Sequence, residues 1–234
     1  MKKKLLFLAF LVTSSCSLQN NTYFPLNENM TWNYHIDIIP EIEKKSVYKK
    51  ISSVLKKQKV INPSTNKEIY VHPLRRENNS IYYYYNSKDG ILRFGKQYNS
   101  NNIEFEKKKR YVLKYPIKKG NTWTEESKTF LILRRYPYFD YKATANFQLK
   151  NKLISLNETI KVPAGSFKKC IKIVGEGNTT FFGDSEIGTI KIKIKTQEWY
   201  APNIGLVKAV RVEETDTDLF GTTKMVQVLD QYSK

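Results

Sequence analysis

Apolar and polar residues alternate with a period of two along most of this chain. From Thr189 to Lys195, Ile190, Ile192 and Ile194 alternate with Lys191, Lys193 and Lys195. That pattern predicts a strand with one buried face and one solvated face. Similar runs cover Thr31–Ile38, Ser80–Tyr85, Lys128–Arg134, Ala145–Leu153, Ser166–Val174, Leu206–Val212 and Thr222–Leu229. Turn-forming residues separate them. Asn86-Ser87-Lys88-Asp89-Gly90 ends on an Asp-Gly pair suited to a hairpin, and Asn62–Asn66, Val162–Gly165 and Ala201–Gly205 are further turns. Glu43–Lys59 fits two patterns: Val47, Ile51, Val54 and Leu55 have helical spacing, whereas Val47, Ile51 and Leu55 also suit a strand. Flanking strands and the lack of a capping residue favour the strand. The expected fold is all-β, an antiparallel, strongly curved sheet or open barrel with little helix beyond the N terminus.

The first seventeen residues break the pattern. Lys2, Lys3 and Lys4 precede an apolar run from Leu5 to Val12, and small residues lead to Cys16. This is the layout of a secretory signal peptide. The run is too short for a bilayer span, which takes about 20 apolar residues. Ser14-Ser15-Cys16 resembles a bacterial lipobox, with Thr13 where leucine is usual. The resemblance implies a diacylglycerol on the Cys16 thiol, cleavage before it, and acylation (palmitate) of the new amine. Cleavage after Ser17, with Ser15 and Ser17 as the small pair, is the competing reading. The expected organisation is a signal peptide over residues 1–15, a lipidated tether over 16–22, and one β-rich domain over 23–234. Ser17 after the cysteine implies, by resemblance to enteric sorting, the outer membrane's inner leaflet, facing the periplasm.

Charge changes the picture less than its size suggests. The 234 residues carry a formal net charge of +18, and removing Lys2, Lys3 and Lys4 lowers it by three, to +15. So basic a chain would ordinarily raise a nucleic-acid hypothesis, but an exported protein meets little nucleic acid and none is expected as a partner. Attraction to an anionic lipid or lipopolysaccharide surface is the physical consequence that remains. The basic runs Lys44-Lys45, Lys49-Lys50, Lys56-Lys57-Lys59 and Lys107–Arg110 read as solvated strand faces and turns that deter edge-to-edge pairing.

Candidate chemistry is sparse. Cys16 and Cys170 are the two cysteines; with Cys16 lipidated, Cys170 has no partner for a disulfide and reads as a structural thiol in a strand. His35 and His72 are the two histidines, too few for a zinc site and each reading as a strand-face residue. Glu213-Glu214 and Asp216, Asp218 read as a polar turn. No phosphate-cradling glycine loop or nucleophile elbow is present. The expectation is therefore no catalytic residue, no metal and no cofactor. Tyr82–Tyr85 places tyrosines on both faces of a strand, one pair in the core and the other covering a neighbouring strand or forming an aromatic platform.

Tyr23-Phe24-Pro25-Leu26-Asn27-Glu28-Asn29-Met30-Thr31-Trp32 is echoed by Lys114-Tyr115-Pro116-Ile117-Lys118-Lys119-Gly120-Asn121-Thr122-Trp123. Each reads aromatic-Pro-aliphatic, a turn, then Thr-Trp. Together with Val162–Lys168 (VPAGSFK) and Gln197–Lys208 (QEWYAPNIGLVK), the stretch Tyr23–Tyr34 resembles the TapB-like exported bacterial lipoproteins and related domains of unknown function. The sequence departs from that family's pattern at Asn29, where glycine is usual. The resemblance implies a β-rich exported domain and brings no catalytic residues. Pro25, Trp32, Pro116, Trp123, Pro163, Gly165, Trp199, Tyr200, Pro202 and Gly205 are its motif positions, read as turns and core pegs.

The functional expectation is a membrane-anchored lipoprotein, a non-catalytic envelope structural or interaction module with a protein partner in the envelope. The alternative is a periplasmic amphiphile carrier, for which a concave apolar sheet face and a cavity of several hundred Å³ would be needed.

Overall fold

Fifteen strands and no helix make up the described residues of the computed structural model, 22–98, 102–135, 140–183 and 185–234. Cys16 and the signal segment 1–15 lie outside them. The strands are β1 (Thr31–Pro40), β2 (Ser46–Val54), β3 (Gln58–Asn62), β4 (Lys67–Arg76), β5 (Ile81–Ser87), β6 (Gly90–Gln97) and β7 (Glu104–Lys114). After them come β8 (Thr122–Lys128), β9 (Leu133–Arg135), β10 (Asp140–Lys142), β11 (Asn146–Val162), β12 (Gly165–Phe182), β13 (Thr189–Ala201), β14 (Gly205–Thr215) and β15 (Thr222–Ser233).

Thirteen strands form one antiparallel sheet, in the order β7-β6-β5-β4-β2-β1-β15-β14-β13-β12-β11-β8, with β3 paired to β4 off this path. β1 pairs with β15, from Thr31 opposite Ser233 to Pro40 opposite Thr223, so the first and last strands join the two halves. The sheet curls into a nearly closed barrel. Its two end strands, β7 and β8, meet through side chains: Arg110 Nε lies 3.3 Å from Glu125 Oε2, Lys108 Nζ lies 2.8 Å from Glu126 Oε1, and Lys114 Nζ donates to the Thr122 carbonyl at 3.3 Å. The expected all-β curved sheet or open barrel is what the chain forms, and Glu43–Lys59 is strand in its β2 portion.

Strand alternation accounts for the core. Ile190, Ile192 and Ile194 are each 1 % exposed, while the three intervening lysines face solvent. They pack with Phe147, Leu149 and Phe220 in a core beneath the long β11–β13 hairpins. The larger core gathers Met30, Leu113, Leu153, Ile171, Val207 and Leu229 within the barrel.

Two expectations are corrected. Lys128–Arg134 is not one strand: β8 stops at Lys128 and β9 begins at Leu133. The Phe130 and Leu131 N–H groups donate to the buried Glu213 carboxylate, at 3.2 and 2.9 Å, so this backbone is satisfied outside any ladder. Glu213 and Glu214 lie in β14 rather than in a turn, and Glu213 is fully buried.

The repeated Pro-to-Trp stretches fold alike. Asn29 has φ 67° and Gly120 has φ 88°, at matching positions. Met30 N–H donates to the Asn27 carbonyl at 3.2 Å, as Asn121 N–H does to Lys118 at 3.0 Å. Asn29 N–H donates to Val54 (2.9 Å) and Val54 N–H returns to Met30 (2.9 Å); Gly120 and Leu153 do the same through Asn121, at 2.8 and 2.9 Å. One turn thus sets Trp32 and Trp123 at the heads of β1 and β8.

Candidate functional site

The two turns matter because of where they aim the chain. Trp32, Tyr34 and Ser52 in one copy, and Trp123, Glu125 and Asn151 in the other, line one chamber of about 260 Å³ inside the barrel. In each copy the strand head supplies residues two apart, which the pleat places on the same face.

The chamber is polar. Its cations come from one part of the wall: Lys50 on β2, Arg76 on β4, Arg93 on β6 and Arg110 on β7. Its carboxylates come from elsewhere, Glu125 on β8 and Glu198 on β13. Two cations are matched by acids. Arg93 pairs with Glu106, and Arg110 with Glu125 across the β7–β8 junction. The other two contact neutral groups. Arg76 Nη1 donates to the Tyr82 hydroxyl at 3.1 Å, with its guanidinium carbon 3.9 Å from that ring's centroid. Lys50 Nζ donates to Gln227 Oε1 at 3.1 Å.

Burial governs the titration of these groups. Desolvation, helped by Arg76 and opposed by Glu77 and Glu198, pushes Lys50 down to about 8. Desolvation raises Glu198, against the Tyr200 hydrogen bond and the fields of Lys50, Arg211 and Arg110. Glu125 is raised for the same first reason, against Arg110. Tyr200 donates to Glu198 Oε2 at 2.7 Å. Among the described chamber-lining residues, two buried donors have no hydrogen-bond partner, Arg76 Nε and Trp123 Nε1. Trp32 differs, because its Nε1 donates to the Ile204 carbonyl at 2.6 Å.

Of the ten motif positions, Pro25, Trp32, Trp123, Tyr200 and Gly205 line the chamber. Gly205, at φ 97°, lets the backbone lie close to Pro25 and Trp32. The other five do not reach it. The Pro116 carbonyl accepts from Asn121 Nδ2 at 3.0 Å in its turn. Pro163 leads into Gly165 (φ 133°) at the β11–β12 reversal. Pro202 precedes Asn203 (φ 59°) between β13 and β14. Trp199, which points away from its chamber-lining neighbours, donates Nε1 to Glu158 at 2.6 Å, with Lys172 and Lys208 over its ring at 4.8 and 5.3 Å.

The ionic lining is what motif reading missed. Lys50 and Arg110 belong to the basic runs expected on solvated faces; instead they turn inward, while Lys49 and Lys107–Lys109 remain exposed. A usable signal exists in the sequence: Glu125 lies two residues after Trp123, and Glu198 two before Tyr200, so each shares a face with a motif aromatic.

The remaining candidates stand elsewhere. His35 Nδ1 lies 2.5 Å from Asp230 Oδ1, and His72 Nδ1 lies 3.1 Å from the Leu26 carbonyl. Cys170 is buried, which pushes its thiol up to about 11. Tyr83 is buried and bonded to Gln97, so it offers no outward platform. Among the described residues no group of three His, Cys, Asp or Glu stands ready for a metal ion. Along the same inner face of β1, Ile36 and Ile38 begin an apolar hollow of about 300 Å³ shared with Phe130, Leu131 and Met225.

No curated protein matches the sequence. Two solved structures are similar over most of their length. A candidate lipoprotein from Parabacteroides distasonis ATCC 8503 is 16 % identical, covering 91 % of this chain and 99 % of that one at a TM-score of 0.41. An exported candidate with a YmcC-like fold from Bacteroides fragilis NCTC 9343 is 14 % identical, covering 92 % and 100 % at 0.39. The family comparison does not return the TapB-like name that the motifs suggested. The profile that matches, over residues 29–223, is that of the DUF3108-like family, and the chain belongs to it.

Proposed function

We propose that this protein is an exported, membrane-tethered binding module that works without a catalytic step, close to the TapB-like lipoproteins its motifs resemble. Its anchor is a lipidated Cys16 in the outer membrane's inner leaflet. Two or three acyl chains, at about 0.8 kcal/mol per buried methylene, hold far more firmly than one. From Cys16 the chain reaches the chamber wall at Pro25, and each intervening residue spans at most about 3.6 Å. The chamber therefore works close to the bilayer. The exposed lysines draw the body toward anionic lipid or lipopolysaccharide, and a protein of the envelope completes the set of partners.

The chamber's lining carries this reading. Buried charges cost stability, and well-packed apolar residues of similar volume often serve a fold better. A barrel needing only to be filled would not place four cations and two carboxylates at its centre. An amphiphile carrier wants an apolar cavity, which this lining does not supply. Both histidines and Cys170 sit outside the chamber, in keeping with a binding role.

The test is metabolic labelling of the full chain with radioactive palmitate, followed by membrane fractionation. Wild type is expected to carry label and sediment with the outer membrane, and Cys16→Ser to lose both. An unlabelled, soluble wild type cleaved after Ser17 would overturn the anchored reading.

A further inference from the structure

The chamber's charges are segregated. Lys50, Arg76, Arg93 and Arg110 lie on β2, β4, β6 and β7, and Glu125 and Glu198 on β8 and β13. The sheet order places the first set along one arc of the barrel, and sets β13 and β8 along the other. A site for a simple anion needs only the first arc. A site for a simple cation needs only the second.

The contacts sharpen this. Arg93 and Arg110 are each held by a carboxylate, whereas among the described residues no acid lies within ion-pair distance of Arg76. Its Nη1 is engaged by Tyr82 and its Nε has no partner. The Nε–Nη2 edge is the side of a guanidinium that takes a carboxylate or phosphate through two parallel bonds. Trp123 Nε1, on a side chain only 6 % exposed, is a second donor without a partner among the chamber's lining residues, on β8. On the opposite arc Glu198 receives one hydroxyl, from Tyr200, and among the described residues no cation lies within ion-pair distance of it. A carboxylate has room for several more donors. At about 260 Å³ the space is smaller than the roughly 300–1,000 Å³ of drug-sized sites, so the occupant is compact.

We propose that the chamber binds a compact zwitterion, with its carboxylate or phosphate on Arg76 and its ammonium on Glu198. The assignment rests on the binding-module reading above and names its ligand. Two sources share this chemistry: a free amino acid, and the phosphoethanolamine headgroup of a membrane lipid.

The experiment is native mass spectrometry and calorimetry on the full-length, lipidated protein in detergent micelles. The probes are glycine, L-alanine and O-phosphoethanolamine, with inorganic phosphate, acetate and ethanolamine as half-ligands. A zwitterion is expected to bind about tenfold or more tighter than either of its halves, which is the effect of one further charge-assisted hydrogen bond. Arg76→Met and Glu198→Gln are each expected to remove that advantage, and circular dichroism identifies a variant that has lost its fold. For such a variant the half-ligand comparison on wild type decides alone. Binding of the amino acids points to a soluble source. Preference for O-phosphoethanolamine, with capture of phosphatidylethanolamine nanodiscs over phosphatidylglycerol ones, points to the headgroup. Phosphate binding as tightly as O-phosphoethanolamine would overturn the proposal in favour of a plain anion site, and silence to all six probes would overturn it outright. Neither result touches the palmitate anchor. Recovery of a bound zwitterion chemically changed would leave this assignment standing and defeat the non-catalytic reading instead.

Discussion

Arg211 Nη2 lies 2.7 Å from Glu213 Oε1, and both side chains are buried on the same face of β14. The pair ties three parts of the chain together. Arg211 also donates to the Lys128 carbonyl at 2.8 Å, where β8 ends, while Glu213 takes the Phe130 and Leu131 N–H groups. Phe130 and Phe147 lie over the guanidinium at 4.4 and 5.5 Å. The interruption after β8 is therefore organised by a carboxylate 83 residues away in sequence.

Removing one partner of so enclosed a pair leaves the other charged and desolvated. Glu213→Ala is expected to destabilise the fold by about 3–5 kcal/mol. Urea denaturation of wild type and variant measures it, and a loss below about 1 kcal/mol, the scale of an exposed ion pair, would contradict the account. Arg211→Met is the informative companion, since it leaves Glu213 with its two backbone donors.

The two tryptophans of the repeated unit should separate under mutation. Trp32→Phe deletes the donor to the Ile204 carbonyl and leaves a buried acceptor unsatisfied, a cost of about 1–3 kcal/mol beyond lost volume. Trp123→Phe removes a donor that has no partner. Its stability cost should therefore be the smaller of the two, as read by denaturant midpoints at equal slope. Equal costs would show that volume alone governs both positions.

Local features of this fold were legible in the sequence and distant ones were not. Period-two alternation located Ile190, Ile192 and Ile194, and Pro-, Gly- and Asn-rich clusters located turns, because both depend on residues a few positions apart. The inward aim of Lys50 and Arg110 depends on which face of the curled sheet becomes interior. Register shifts between Asn33 and Tyr34, Tyr83 and Tyr84, and Trp199 and Tyr200 add to that uncertainty. Glu213 illustrates the limit: an acid near a polar turn looked solvated, and only its distant partners on the 128–131 stretch explain its burial.

Asn29 stands where the second copy of the turn has Gly120, and its backbone shows why either residue serves. At φ 67° it occupies the left-handed region, which asparagine enters more readily than other non-glycine residues. Asn29→Ala is expected to cost about 1–2 kcal/mol, while Asn29→Gly stays near neutral. Gly120→Ala should cost a similar amount through conformation alone, because a Cβ there meets nothing within 4 Å. Thermal denaturation of the three variants tests this, and a neutral Gly120→Ala would refute the shared turn requirement.

Lys50 gives the fold a pH dependence of unusual sign. Buried beside Arg76 and Gln227, with Glu77, Glu198 and Tyr34 around it, its ammonium is held down to about 8, against an ordinary 10.5. Between those values the unfolded chain binds the extra proton and the native chain does not. Stability contributed by this site therefore rises as pH increases from about 8 toward 10.5. Tyr84 and Tyr200, raised above 10 by burial, act oppositely once the unfolded tyrosines begin to ionise. Their effect starts near pH 10 and lowers stability above it. Urea denaturation from pH 7 to pH 10 is expected to show a rising limb in wild type that Lys50→Met flattens, the variant being the more stable at pH 7. Parallel pH profiles for the two proteins would mean that Lys50 keeps an ordinary proton affinity.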